Sequence, residues 1–242
     1  MGLVCFDMDR VLVDHLSTWQ WIYDKLGISN EESFNLYNQG KLNEWEWIIL
    51  DIDLIRSAVE DVLKDEYLRS LLADCPMMKG WRECVQSLLN DGHQVAIISG
   101  GMQESARQIA SAFPSSQIWR RRWGGIDRFT ASRINGFDTQ LHVFCNGWLT
   151  NADGTIPDTG RYQVQMHGKG NIVRMLQRRL GVSQKDTASV GDSAGDIDMF
   201  HKSGFSIAFN PWDDRPIKEA TITIEERNLG LALKAIQDYF RE

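Results

Sequence analysis

Short apolar runs that stop abruptly at small or acidic residues set the strongest limit on how this chain folds. Leu3-Val4-Cys5-Phe6 ends at Asp7-Met8-Asp9, Val95-Ala96-Ile97-Ile98 ends at Ser99-Gly100-Gly101, and Thr187-Ala188-Ser189-Val190 ends at Gly191-Asp192. Phe205-Ser206-Ile207-Ala208-Phe209 and Thr221-Ile222-Thr223-Ile224 complete the set. Each is too short for a helix, and Leu3–Phe6 and Val95–Ile98 are too continuously apolar for a strand with one wet face. Helical stripes lie between them: Trp81, Val85, Leu88 and Leu89; Met102 to Phe113; Ile172, Leu176 and Leu180, stopped by Gly181; and a short helix from Asp196 to His201. This alternation predicts an α/β fold, a parallel sheet with helices on both faces. Ligands of such sheets bind outside the carboxyl ends of the strands, so Asp7, Ser99 and Asp192 should emerge on one edge.

Residues 14–75 break the alternation. They contain no Pro and carry apolar residues at helical spacing: Trp19, Ile22 and Leu26, then Trp45, Ile49 and Ile52, then Val59, Val62 and Leu63. The pattern predicts a helical bundle inserted early, with Ser29 or Asn30 capping a helix that begins near Glu31 and Pro76 closing the segment. The stretch 115–168 is less legible. Asn146-Gly147 between Val143-Phe144-Cys145 and Trp148-Leu149-Thr150 is a two-residue hairpin signal. Arg120-Arg121-Arg122, with Arg128 and Arg133 and flanked by Trp119 and Trp123, is either a solvated charged loop or a patch that draws in an anion.

Composition narrows the function. With 26 basic and 33 acidic side chains the net charge is −7, which argues against a general nucleic-acid binder. No apolar run approaches the ~18 residues that span a bilayer, and no basic-then-apolar leader opens the chain. Cys5, Cys75, Cys84 and Cys145 have no paired spacing, which fits a reducing, cytoplasmic setting better than a disulfide or zinc framework. Nothing in the sequence separates a monomer from a homodimer.

The residues gathered at the predicted edge suit phosphoryl transfer. Asp7 could attack phosphorus as a carboxylate nucleophile, and Asp9 could protonate the leaving oxygen and later deprotonate water. Asp7, Asp9 and Asp192 are oxygen donors of the kind Mg²⁺ prefers. Ser99-Gly100-Gly101, read as opening a helix, offers a hydroxyl and backbone N–H groups to an anion; a plain Ser N-cap is the alternative. Lys169 stands at the predicted start of a helix, where its charge opposes the helix dipole, which points to a partner elsewhere.

Asp7-Met8-Asp9, Ile97-Ile98-Ser99-Gly100-Gly101, His167-Gly168-Lys169-Gly170 and Gly191-Asp192-Ser193-Ala194-Gly195-Asp196 resemble, in order, the four motifs of the haloacid dehalogenase superfamily of phosphatases, most closely its phosphoserine-phosphatase-like branch. The likeness extends to Ile207-Ala208-Phe209-Asn210 and to Ile224–Leu229. It implies a Rossmann-like core formed by residues 1–13 and 76–242, with a small helical cap at 14–75. It also implies roles. Asp7 would be nucleophile and Mg²⁺ ligand, Asp9 acid/base and ligand through its carbonyl, and Asp192 a ligand supported by Asp196. Ser99, Gly100, Gly101 and Lys169 would bind the phosphate. Arg10, which like Gly195 departs from the family's usual residue, is a further candidate substrate contact of this chain. Dehalogenases of the superfamily generally lack the second carboxylate, so Asp9 favours hydrolysis of a small-molecule phosphate ester.

The chain departs from the branch where phosphoserine phosphatases recognise the amino acid. An approximate alignment puts Leu16 and Ile49 at the acidic and arginine positions, so a zwitterion would find neither partner. A different, more apolar or aromatic substrate is expected, with Trp19, Trp21, Trp45 and Trp47 either facing it or packing the cap. Hydrolysis of phosphoserine itself, transfer to an acceptor other than water, and phospho-ligand binding without catalysis remain the competing functions.

Overall fold

The computed structural model describes residues 1–113 and 140–241, together with the backbone of two short strands at 121–123 and 126–128. The Arg/Trp-rich patch therefore lies, in its side chains, outside the described residues. Strand β1 (Leu3–Phe6) is followed by helices α1 (Thr18–Leu26), α2 (Glu31–Asn38), α3 (Glu44–Ser57) and α4 (Asp65–Leu72). Then come α5 (Trp81–Asn90), β2 (Gln94–Met102), α6 (Gln103–Ser111), β3 (Arg121–Trp123), β4 (Ile126–Arg128), β5 (Leu141–Trp148) and β6 (Gly160–Arg161). The chain ends with α7 (Lys169–Leu180), β7 (Thr187–Gly191), α8 (Ile197–Phe200), β8 (Phe205–Phe209), α9 (Asp214–Glu219), β9 (Ile222–Ile224) and α10 (Leu229–Arg241).

Seven strands form one sheet in the order β6-β5-β2-β1-β7-β8-β9. Every pairing in it is parallel except β5 with β6, so the predicted α/β architecture is observed. β1 is central and wholly buried, as its four continuous apolar residues require. Phe6 pairs with Ile97 on one side and with Val190 on the other, which brings the residues after all three strands to one edge.

Three of the four helices after β1 supply a second apolar cluster: Ile22 and Tyr23 from α1, Ile48, Ile52 and Ile55 from α3, and Leu68 and Leu72 from α4, joined by Leu63, Met102, Trp148 and Ile156, while α2 buries no residue. Full burial of a side chain of this size contributes about 1.5–3 kcal/mol, so these residues account for most of the insertion's cohesion. Ser17 caps α1 by accepting the N–H groups of Trp19 and Gln20. At α2 it is the Ser29 hydroxyl that accepts the Glu31 N–H, at 3.3 Å, because the Asn30 amide is drawn instead to Asp51 at 3.2 Å. The Val59-Val62-Leu63 stripe is not a helix. α3 ends at Ser57, and Val62 is 69% exposed; Leu63 is buried in the cluster and Val59 packs against it from outside.

Two further readings are corrected. Asn146-Gly147 is not a hairpin turn: β5 runs straight through it to Trp148. The Asn146 side chain is used across a gap in sequence, accepting the Gln163 and Val164 N–H groups at 2.8 and 2.9 Å and donating to the Val164 carbonyl at 2.8 Å. Gly147 is needed for space, since a Cβ there would stand 1.6 Å from Gln103 Oε1, and its φ is +137°. Nor does Ser99-Gly100-Gly101 open a helix. It continues β2, whose register on β5 jumps from Ser99↔Cys145 to Met102↔Asn146, so the two glycines bulge out of the ladder before α6 begins at Gln103.

Candidate active site

Asp7 leaves β1 with its N–H bonded to the Val190 carbonyl at 2.9 Å, which fixes it at the sheet's end. One carboxyl oxygen accepts the Met8 N–H at 2.7 Å; the other lies 3.0 Å from Lys169 Nζ. Lys169, the first residue of α7 and 3% exposed, also bonds Asp196 Oδ1 at 2.7 Å. Two buried carboxylates are thus the partners that outweigh the unfavourable helix dipole.

Asp7, Asp192 and Asp196 each offer an oxygen within 4.8 Å of the others. Their roles separate once the hydrogen bonds are counted. Asp196 Oδ1 holds Lys169, and its Oδ2 accepts the N–H groups of Asp192 and Ser193 and the Ser193 hydroxyl at 3.0–3.2 Å. Asp196 is therefore committed to shaping the loop, which leaves Asp7 and Asp192 to face a cation. Asp192 Oδ2 takes one hydrogen bond from Arg10 Nε at 2.9 Å. Among the described residues, the cations bonded to the cluster of Asp7, Asp192 and Asp196 are Lys169 and Arg10, and a hard divalent ion fits that donor set.

Burial shifts these groups. It pushes the Asp7 carboxyl up to about 6 against the pull of Lys169, with Asp196 adding to the rise. Burial and then the charge of Asp7 carry Asp9 to about 7. Asp192 is also raised, by burial and by Asp196 and Asp7. Burial alone would lower the Lys169 ammonium, but Asp196 and Asp7 outweigh it and hold the lysine charged.

Arg10 sits in the left-handed region at φ +60°. Its guanidinium reaches Asp192, donates to the Asn210 carbonyl at 2.8 Å and lies 5.0 Å over the Trp212 ring. It ties the loop after β1 to those after β7 and β8. Ser99 is 1% exposed and accepts the Gly101 N–H at 3.0 Å. Gly101 is small of necessity, because a Cβ there would come within 2.5 Å of Asp9 Oδ2 and 2.8 Å of Thr18 Oγ1.

Of the residues in those last contacts, the sequence does not single out Thr18. Thr18 donates its N–H to Asp9 Oδ1 at 3.1 Å, and Trp19 Nε1 donates to the Gly100 carbonyl at 3.0 Å. Both lie in the first turn of α1, directly against the Asp7–Asp9 turn and the β2 bulge. The sequence marks Trp19 as a cap tryptophan, but its bond to Gly100, 81 residues on, has no local signal. The other three tryptophans of this segment face elsewhere. Trp21 bonds the Leu71 carbonyl, Trp47 stacks on Tyr37, and Trp45 is 46% exposed. Leu16 is likewise 46% exposed.

A model of haloacid dehalogenase-like hydrolases matches residues 164–233. Along its length the chain is 28% identical to the phosphoserine phosphatase of Methanocaldococcus jannaschii over 240 residues, 97% of each protein. It is 25% identical to the enzyme of that name from Wolinella succinogenes, covering 95% of this chain and 97% of the relative. Among solved structures, one of a phospho-aspartyl intermediate analogue of phosphoserine phosphatase superposes with a TM-score of 0.70 at 26% identity, over 97% of this chain and 98% of the other. The sheet order, the four motifs meeting at one edge and these full-length likenesses agree, and over its whole length the chain is similar to phosphoserine phosphatases, with residues 164–233 matching the haloacid dehalogenase-like hydrolases.

Proposed function

We propose that the protein is a Mg²⁺-dependent phosphatase that hydrolyses a small-molecule phosphate monoester other than phosphoserine, working through an aspartyl phosphate on Asp7. The observation that carries this reading is the pairing of two carboxyls on one turn with different surroundings: Asp7 is 3.0 Å from the Lys169 ammonium, while Asp9 is bonded to Thr18 and has its carboxyl raised to about 7. A group titrating near neutrality can give and take a proton at working pH.

In the first step an Asp7 oxygen bonds to phosphorus as the ester P–O bond breaks, and Asp9 gives its proton to the departing oxygen. In the second, Asp9 takes a proton from a water molecule whose oxygen attacks the acyl phosphate, releasing phosphate and restoring Asp7. Lys169 and the Ser99 hydroxyl bind the phosphoryl oxygens, with the Gly100-Gly101 bulge wrapped around them and the Gly101 N–H orienting that hydroxyl. Asp7, Asp192 and the Asp9 carbonyl would hold Mg²⁺, which when bound supplies positive charge opposite the phosphoryl group. Arg10 acts by bracing Asp192, and Asp196 by bracing Lys169 and the Asp192 loop. Residues 14–75 form the cap that closes over this edge and excludes water.

Leu16 and Ile49 support the substrate reading, since neither can pair with an ammonium or a carboxylate. A cytoplasmic location is supported by four buried, unpaired cysteines. Among the described residues no helix is long and apolar enough to cross a membrane. Release of phosphate from p-nitrophenyl phosphate should require Mg²⁺ and vanish in Asp7→Asn; activity surviving that substitution would remove Asp7 as nucleophile. A phosphate-ester panel in which phosphoserine is the best substrate would overturn the substrate assignment alone.

A further inference from the structure

Thr18 is polar, yet wholly buried at the point where the cap meets the catalytic edge. It is not needed as a helix cap, because Ser17 already accepts the N–H groups of Trp19 and Gln20. Its three polar functions go elsewhere. The Thr18 N–H donates to Asp9 Oδ1 at 3.1 Å and its hydroxyl donates to Asp9 Oδ2 at 3.4 Å, while the same hydroxyl accepts the Met102 N–H at 2.8 Å. With the Met102 N–H on its acceptor side, the single hydroxyl proton is directed at Asp9. Both oxygens of the carboxyl are then pinned, and its plane cannot turn.

We propose that Thr18 is a positioning residue for proton transfer. It fixes the Asp9 carboxyl in the orientation from which it protonates the leaving oxygen, and it ties that orientation to the seating of α1 on the β2 bulge. The adjoining Trp19–Gly100 hydrogen bond seats the same turn on the phosphate-binding bulge, so cap and acid are set together. A carboxyl free to rotate would spend much of its time misaligned, and a loss of positioning of this kind lowers a rate without altering the reacting groups. The proposal rests on Asp9 being the proton donor.

Leaving-group dependence of kcat/KM separates this role from a structural one. A poor leaving group, phenolate from phenyl phosphate, needs the proton; a good one, 2,4-dinitrophenolate, barely does. Thr18→Val keeps the shape without the hydroxyl, and Thr18→Ser keeps the hydroxyl. The valine variant should lose at least about tenfold more on phenyl phosphate than on the dinitrophenyl ester, while the serine variant stays within about threefold of the unmodified protein on both. Met102 amide exchange, followed by mass spectrometry, should accelerate in Thr18→Val and not in Thr18→Ser. An equal loss on both esters, with far-UV dichroism unchanged, would reduce Thr18 to packing and overturn the proposal. Thr18→Ala carries the same test if the valine variant does not fold. Asp9→Asn, assayed on the same two esters, keeps the layers apart: a flat leaving-group response there removes the acid role of Asp9, and this inference with it, whereas a steep response there beside a flat one in Thr18→Val removes this inference only.

Discussion

Replacing Asp9 with asparagine should make the metal-free protein more stable at pH 8 even as it removes turnover. The folded structure holds this carboxyl at about 7 against an ordinary value near 3.8, through burial and the neighbouring charge of Asp7. A carboxyl raised on folding binds its proton more tightly in the folded state, so its ionisation opposes folding. That cost is nearly absent below about pH 4, grows as the pH climbs toward 7, and is complete above it. Linkage between those two values gives about 4 kcal/mol at pH 8 and about 1.7 kcal/mol at pH 5. Asp9 is only partly shielded from solvent, which trims the expected gain in Asp9→Asn to about 2–4 kcal/mol at pH 8 and about 1 kcal/mol at pH 5. Urea unfolding of both proteins with EDTA present, at the two pH values, measures it. A variant no more stable than the parent at pH 8, or one whose advantage is the same at pH 5, would refute the reasoning.

Two other substitutions probe the same edge. Lys169→Met strands Asp7 and Asp196 without their cation and should cost about 3–5 kcal/mol in urea unfolding at pH 8, together with the loss of phosphatase activity. Gly147→Ala forces a Cβ onto the Gln103 side chain at a φ of +137° and should lower stability by about 2–4 kcal/mol; an unchanged melting temperature would mean that β5 does not pass straight through this position.

The catalytic edge was legible because its signals are local. A buried parallel strand must end where the apolar run ends, so each motif could be placed on the sheet from sequence alone. Lys169 was legible for a related reason, since a charge set against a helix dipole asks for a partner. What escaped was everything decided by a distant contact. Asn146-Gly147 has the chemistry of a turn, but three hydrogen bonds between the Asn146 side chain and residues 163–164 outweigh that local preference. Thr18 carried no signal, because a threonine at a helix start is ordinary until Asp9 is seen beside it. The Val59–Leu63 stripe misled because apolar spacing alone does not distinguish a helix from an irregular segment that sets Leu63 into the cluster and Val59 against it. Likewise Asp51, a charged residue in an apolar stripe, gave no hint that it is 4% exposed and bonded to Tyr23, Asn30 and Ser33.

β5 begins among the apolar residues of the sheet, with Leu141 and Val143, and ends seven residues later at Trp148, whose ring belongs to the cluster of the inserted helices. Trp148 Nε1 donates to Asp65 at the start of α4, and the Gln103 side chain brackets the Trp148 backbone. The two apolar clusters are therefore stitched by one continuous strand. Melting the helices would strip the partner from an indole at the end of a central pairing, and loosening β5 would open the helical cluster in turn. Such a molecule should come apart in a single transition. A helical insertion sewn into its host in this way cannot be exchanged as a cassette between relatives unless the end of β5 travels with it.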